Sequence, residues 1–308
     1  MSSLSTDFKR FSLFGYPVLH STSPAFHNAI FGFLGEGKSC DTFSTSQVFP
    51  EMHCVATSLA GLVSPDKAER RSSVTKPVKG LIIPHLDGIT PEVRATGAVN
   101  TIVKVEDKLV GTNTDILGVK NALLRGLRLQ HPGTNISPQG RYPAALRGAG
   151  LVIGGGATTR SAAHALATLG LHPIYLVNRD VAEVEAVQMA LPHLTLVHLR
   201  HPDQVEELLA QPTSPRILMI VGAIPAFAPV TPAERMVYTT ASSILSIPYT
   251  PPELPSDSTL SLPKKRLFLE MAYKPRITPM LRIAAAHGWD PIDGIQAMIE
   301  QGYAQQRM

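Results

Sequence analysis

From residue 151 onward the apolar positions gather in short runs, Leu151–Ile153, Pro173–Val177, Thr195–Leu199, Ile217–Val221 and Leu267–Met271, separated by helix-compatible segments. Continuous apolar runs of this length fit strands buried on both faces, and their alternation with helices predicts a parallel sheet covered on both sides. Residues 10–119 differ, with strand-like pieces at Ser12–Phe14, Ser73–Thr75 and Val99–Val105, the last joined through Glu106-Asp107 to Lys108–Gly111 as a hairpin. In the same region Ser23-Pro24 precedes apolar positions at Phe26, Ala29, Ile30, Phe33 and Leu34, and Gly35 follows. That pattern predicts a helix with Ser23 as its N-cap, proline in its first turn and glycine as its stop. The prolines and glycines of residues 132–148 predict a surface excursion, and the proline- and serine-rich stretch 249–263 a long loop. No internal repeat is evident.

The first of these runs feeds Gly154-Gly155-Gly156-Ala157-Thr158-Thr159, which opens a helix-compatible stretch from Arg160 to Leu169 closed by Gly170. The next strand-like run ends at Asn178-Arg179-Asp180, at a distance from the glycines that suits contact with an adenosine ribose. Glycine is wanted here because a side chain would keep the backbone away from a pyrophosphate, whose charge the start of the helix attracts. Gly154, Gly155, Gly156, Ala157 and Thr158 are therefore candidates for a phosphate cradle, and Asn178, Arg179 and Asp180 for the ribose. Thr159 stands where the usual fingerprint has a third glycine, and a plain tight turn is the alternative reading.

At 308 residues the chain has room for two domains, and 44% hydrophobic with 17% charged residues excludes a disordered polymer. A net charge of +4, with Lys and Arg dispersed apart from Arg70-Arg71 and Lys264-Lys265-Arg266, argues against a nucleic-acid partner. Cys40 and Cys54 permit one disulfide but neither a disulfide framework nor a cysteine metal site. No apolar run reaches membrane-spanning length, and the N-terminus, charged at Asp7, Lys9 and Arg10, lacks a signal-peptide core. The expectation is a cytoplasmic protein without a membrane partner.

Outside the glycine turn, several motifs occur in order: Gly15-Tyr16-Pro17, His20-Ser21-Thr22-Ser23-Pro24 with His27-Asn28, Ser73-Val74-Thr75-Lys76-Pro77-Val78-Lys79, Gly97-Ala98-Val99-Asn100-Thr101 and Asn113-Thr114-Asp115. Together they resemble the shikimate/quinate dehydrogenase family. The resemblance continues through Val152–Arg160, Tyr175–Arg179, Glu270–Pro275 with Thr278-Pro279, and Asp293–Gln301. Val177–Asp180, Gly288-Trp289 and Ala297–Gly302 are most similar to its fungal quinate dehydrogenase branch.

The resemblance implies an α/β fold: a substrate-binding domain over residues 1–120, completed by C-terminal helices at about 281–308, and a Rossmann-like doubly wound nucleotide-binding domain over 121–280. It implies Lys79 and Asp115 as the catalytic pair. Oxidising a ring alcohol needs a base for the hydroxyl proton while hydride leaves for a nicotinamide. Lysine is a poor base at its ordinary pKa of about 10.4, which desolvation lowers and a neighbouring carboxylate opposes while orienting the amine. Taken alone, Lys79 reads as a surface lysine and Asp115 as the N-cap of a helix over 116–124.

Ser21, Ser23, Thr75, Asn100, Tyr273 and Gln301 match the family's substrate-binding positions, where hydroxyls and amides suit a polyhydroxylated acid. Each also has an ordinary reading: a cap for Ser23, a strand residue for Thr75, packing for Tyr273 and structural hydrogen bonding for Asn100 and Gln301. Gly294 matches a cofactor-side glycine or a turn before the last helix. Ser73, the added charge of Lys76, Val221-Gly222-Ala223-Ile224 and residues 44–71 depart from the family pattern.

The expected activity is reversible NAD-dependent oxidation of quinate or shikimate at the ring 3-hydroxyl, without a metal, by a monomer or homodimer. Arg179 suits a 2′-phosphate or adenine stacking, whereas Asp180 and Glu183 favour free ribose hydroxyls and hence NAD over NADP. The alternatives are an NADP-dependent shikimate dehydrogenase and a non-catalytic sensor of quinate-pathway metabolites, which would need the binding residues but not Lys79 and Asp115.

Overall fold

A computed structural model describes residues 9–15, 18–19, 21–35, 38–44, 71–132, 148–210, 214–251 and 263–308. Cys54 and most of the stretches 44–71, 132–148 and 249–263 lie outside them. The chain divides into two compact units, one holding Met1–Thr114 with Gly302–Met308 and the other Asp115–Gln301. No helix among the described residues is long and apolar enough to cross a membrane.

The first unit is built on a mixed sheet of β1 (Lys9–Gly15), β2 (Lys38–Ser44), β3 (Arg71–Val74), β4 (Gly88–Ile89), β5 (Thr101–Val105) and β6 (Lys108–Thr112), ordered β2-β1-β3-β5-β6-β4. β1 runs parallel to β2 and β3, and β5 antiparallel to β3 and β6. The expected hairpin is β5–β6, turning where Glu106 takes φ +55°. Phe14, Val74, Val78, Ile82, Val93, Val99, Ile102 and Leu109 form its core.

The helix Ser23–Phe33 ends as its sequence predicts, with Gly35 at φ +66° just past the C-cap Leu34. Its start differs by one residue. Thr22, not Ser23, is the N-cap, because the Thr22 carbonyl accepts the first helical bond from Phe26 N at 3.0 Å. Ser23 is the first helical residue, and its N–H donates to Ser21 Oγ at 3.2 Å.

The chain's last residues are tied into this unit by amides. Gln305 Nε2 donates to Thr101 Oγ1 at 2.7 Å, Gln305 Oε1 lies 3.0 Å from His27 Nε2, and Gln306 Nε2 lies 2.8 Å from His27 Nδ1. With Gln305 Nε2 committed to Thr101, its oxygen accepts from His27 Nε2, and with Gln306 Nε2 donating to Nδ1 the ring is neutral with its proton on Nε2. Burial lowers the His27 pKa below its ordinary 6.5, against the Gln305 hydrogen bond.

The second unit carries a six-stranded sheet, all parallel: β7 (Gly148–Ile153), β8 (Ile174–Val177), β9 (Leu196–His198), β10 (Arg216–Gly222), β11 (Leu267–Glu270) and β12 (Asp290–Ile292). The order β9-β8-β7-β10-β11-β12 is the 3-2-1-4-5-6 arrangement of the Rossmann fold, whose strand order reverses between β7 and β10. Alternation along the strands feeds two cores. Val152, Leu176, Val221 and Leu269 meet Ile116, Val119, Leu123 and Leu166 from the helices Asp115–Gln130 and Ala157–Thr168. Leu151, Ile153, Val177, Ile220 and Phe268 meet Val237, Ile244, Met280 and Leu281 from the helices Pro232–Leu245 and Pro279–Ala286.

The His27 linkage has a definite sign. Its folded pKa lies below the unfolded one, so its contribution is complete above about pH 6.5 and is lost as the pH falls toward the folded value. Thermal unfolding between pH 8 and pH 5 should show Tm dropping below that point, with a shallower drop in His27→Gln. Identical slopes in both proteins would contradict the assignment.

Candidate active site

Ligands of doubly wound sheets sit outside the C-terminal strand ends, where the order reverses. Here β7 runs into Gly154, whose φ of +144° and close approach to Ala223 O, 2.9 Å from where a Cβ would stand, exclude a side chain. At Gly155 a Cβ would meet Asn178 Nδ2 at 2.1 Å and Glu183 Oε2 at 2.3 Å. Gly156 is different: it has φ −86° and nothing within 4 Å of a built Cβ. It is the N-cap of the helix Ala157–Thr168, which no side chain caps and whose first turn carries no acid. An uncapped helix start beside open space fits the pyrophosphate of a dinucleotide.

The residues after β8 are more engaged than the sequence suggests. The Asp180 carboxylate accepts from Ala182 N at 2.8 Å and Glu183 N at 3.3 Å as the N-cap of the helix Val181–Ala190. Asn178 Nδ2 donates to Glu183 Oε2 at 2.7 Å, and Asn178 Oδ1 accepts from Arg179 N at 2.8 Å. Arg179 Nη1 donates to Glu234 Oε1 at 2.5 Å.

In the first unit, Lys79 stands half-buried in the short helix Val78–Leu81, anchored where Val99 N donates to its carbonyl at 2.8 Å. Thr75 precedes it, its N–H donating to Phe14 O at 2.7 Å. Gly15 permits this approach, since a Cβ there would stand 2.3 Å from Thr75 Cγ2. The departing residue Lys76 is exposed. Asn100 is buried in a polar knot: its Oδ1 accepts from Thr114 N at 2.7 Å and Thr101 Oγ1 at 2.8 Å, and its Nδ2 donates to Thr114 Oγ1 at 2.9 Å. Both ends of that amide therefore hold the scaffold. Ser21 is half-buried and Ser23 buried at the start of the helix Ser23–Phe33.

In the second unit, Asp115 is buried as the first residue of the helix Asp115–Gln130. One turn on, Gly118 lets the helix Gly294–Gln306 approach: a Cβ there would meet Ala297 O at 2.7 Å and Gln301 Cβ at 2.9 Å. Gln301 thus packs on the helix that Asp115 opens. Tyr273 is half-buried on the loop after β11, and Gly294 packs against the carbonyls of Glu270, Met271 and Ala272, each 2.8 Å from a built Cβ.

Sequence reasoning gave no role to Glu270 at the end of β11. It is 1% exposed, accepts from Thr278 Oγ1 at 2.9 Å and Ala272 N at 3.3 Å, and is pushed up to about 7 by burial against those hydrogen bonds. It also explains Gly222, where a Cβ would stand 2.9 Å from Glu270 Oε1. The one signal in the sequence was that an acid opens the Glu270–Pro275 motif. Among the described residues, no group of three or more His, Cys, Asp or Glu could hold a metal ion.

Residues 13–102 match the family described as the shikimate dehydrogenase substrate binding domain. Over 301 residues the chain is 30% identical to the pentafunctional AROM polypeptide of Eremothecium gossypii, covering 96% of this chain and 16% of that protein. Dehydroquinate dehydratase and shikimate dehydrogenase from S. pombe AroM superposes with a TM-score of 0.69 at 29% identity, covering 97% of this chain and 49% of that one. Shikimate 5-dehydrogenase from Thermus thermophilus, in complex with NADP(H) and shikimate, superposes with a TM-score of 0.69 at 25% identity, covering 97% of this chain and 92% of that one. The chain thus spans a sixth of the multifunctional polypeptide and half of the S. pombe chain.

The glycine turn yields a paired prediction. Gly155→Ala should overpack the Asn178–Glu183 contact and lower stability by about 1–3 kcal/mol. Gly156→Ala should leave Tm unchanged yet weaken binding of a dinucleotide, read by calorimetric titration. Equal effects of the two on Tm would contradict the distinction.

Proposed function

We propose that the chain, whose residues 13–102 match the shikimate dehydrogenase substrate binding domain, catalyses reversible dinucleotide-dependent oxidation of shikimate or quinate at the ring 3-hydroxyl. The observation that carries this reading is the uncapped glycine turn at the strand-order reversal of a 3-2-1-4-5-6 parallel sheet, in a chain whose residues 13–102 match a shikimate dehydrogenase substrate-binding domain.

A nicotinamide dinucleotide, when bound, accepts the hydride from the substrate carbon. Gly154, Gly155, Gly156, Ala157 and Thr158 shape the turn and helix start that hold its phosphates. Asn178, Arg179 and Asp180 border the ribose, and Gly294 keeps the end of β11 clear of side chains. In the roles the family resemblance implies, Lys79 takes the hydroxyl proton and Asp115 is its acidic partner. Ser21, Ser23, Thr75, Asn100, Tyr273 and Gln301 provide hydroxyl and amide groups that recognise the polyhydroxylated acid. Asn100 does so through the rigid frame it gives the Thr101–Thr114 hairpin as much as through its own amide.

NAD is the proposed acceptor, supported by the negative charge of Asp180 and Glu183 beside Arg179, and the similarity of Val177–Asp180 and the C-terminal motif to the fungal quinate branch supports quinate as a substrate alongside shikimate. Arg179 favours the second reading, an NADP-dependent shikimate dehydrogenase. Steady-state assays crossing quinate and shikimate with NAD and NADP separate the two. A higher kcat/KM with NADP would overturn the NAD reading.

Lys79→Ala should lower kcat by about 10²–10⁴-fold, the usual cost of a lost acid/base group, with dinucleotide affinity unchanged. Asp115→Asn should act in the same direction and non-additively with it. Near-wild-type turnover by Lys79→Ala would remove Lys79 from the chemistry, whereas wild type that binds the pathway acids but turns over none of them would favour a sensor.

A further inference from the structure

We propose that Glu234 sets the cofactor preference of this site by holding Arg179 away from a ribose 2′-phosphate, an inference that rests on the dinucleotide-binding reading above. Arg179 lies two residues past the end of β8, where an arginine meets the 2′-phosphate of NADP. In this chain its Nη1 is bound to Glu234 Oε1 at 2.5 Å, and the two residues are 55 apart in sequence. Glu234 stands in the first turn of the helix Pro232–Leu245, which follows β10, so the contact ties the two sides of the strand-order reversal together.

The carboxylate is fixed independently of the arginine. Glu234 Oε2 accepts from Val230 N at 2.9 Å and Thr231 N at 3.0 Å, while Thr231 Oγ1 accepts from Glu234 N at 3.2 Å, a complete capping box. Those backbone donors hold the acid down to about 2, so it is charged throughout the neutral range. One oxygen is therefore anchored to the helix start and the other is presented to Arg179.

The nearby acids differ in availability. Asp180 Oδ1 caps its helix and Glu183 accepts from Asn178, whereas Glu234 faces the guanidinium directly. Both side chains of the pair keep solvent access, at 50% and 34% exposure, so a phosphate can compete for Arg179. To do so it must displace the carboxylate and then sit beside its negative charge. NAD, with free ribose hydroxyls, meets neither penalty. An exposed pair of this kind shifts an equilibrium by no more than about fivefold, to which like-charge repulsion adds.

Glu234→Gln isolates this role, because glutamine completes a capping box as glutamate does and removes only the charge. Calorimetric titration of NAD and NADP into wild type, Glu234→Gln, Arg179→Gln and the double variant is the test, with Tm recorded for each. Glu234→Gln should tighten NADP about three- to tenfold with NAD affinity changed less than twofold, and the gain should vanish in the Arg179→Gln background. An unchanged NADP-to-NAD affinity ratio, or the same gain without Arg179, would overturn the proposal. Wild type that binds neither dinucleotide would overturn it together with the functional reading. Protein showing the expected shift but turning over neither shikimate nor quinate would keep this assignment and lose the dehydrogenase reading.

Discussion

The C-terminal edge of the parallel sheet has no room for side chains where its loops converge, and the candidate chemistry depends on that constraint. The loop after β7 crosses Ala223 O at Gly154, the end of β10 meets Glu270 at Gly222, and the last helix starts against three carbonyls at Gly294. Each close approach draws a connection toward the place where the strand order reverses. What remains open is the helix start at Gly156, so the fold concentrates peptide N–H groups where a phosphate fits. Glu270, buried at the same edge, fastens the loop carrying Tyr273 through Thr278 Oγ1 and Ala272 N.

In the other unit, hydrogen bonding does comparable work. Asn100 fixes Thr101 and Thr114 at once, and Thr101 passes that order through Gln305 to His27. Burying so many amides and hydroxyls is tolerable only because their partners are present, since an unpaired member would cost about 1–3 kcal/mol. The C-terminal residues are thus fastened to this unit by polar contacts and by the Phe26 ring, which meets Gly302 and Tyr303.

Much of this was legible in the sequence because the signals are local. The β5–β6 hairpin, the Gly35 stop and the strand–glycine–helix–strand unit each rest on residues a few positions apart, where turn chemistry and apolar runs decide the outcome. Contacts between distant segments were not legible. The 55-residue separation of Arg179 and Glu234 hid their ion pair, and the N-cap role of Asp180 in the helix Val181–Ala190 was not read beside its proposed place at the ribose. The strand Asp290–Ile292 escaped notice because three residues with a central proline carry no period, and it stands at the sheet edge paired with β11, with Gln130 donating to Asp290 and Ile292 packed in the core beside the helix Asp115–Gln130. Thr22 took the N-cap from Ser23 because backbone pairing, not side-chain preference, fixes a helix's first turn.

The central claim is that this scaffold carries hydride transfer from a ring carbon to a nicotinamide. Incubating the protein with shikimate or quinate deuterated at carbon 3, together with NAD or NADP, and weighing the reduced dinucleotide by mass spectrometry tests that claim most directly. The account predicts one deuterium on each reduced nicotinamide formed, in step with the appearance of the 3-dehydro acid. Absence of reduced dinucleotide with all four combinations, or its formation without deuterium, would contradict it.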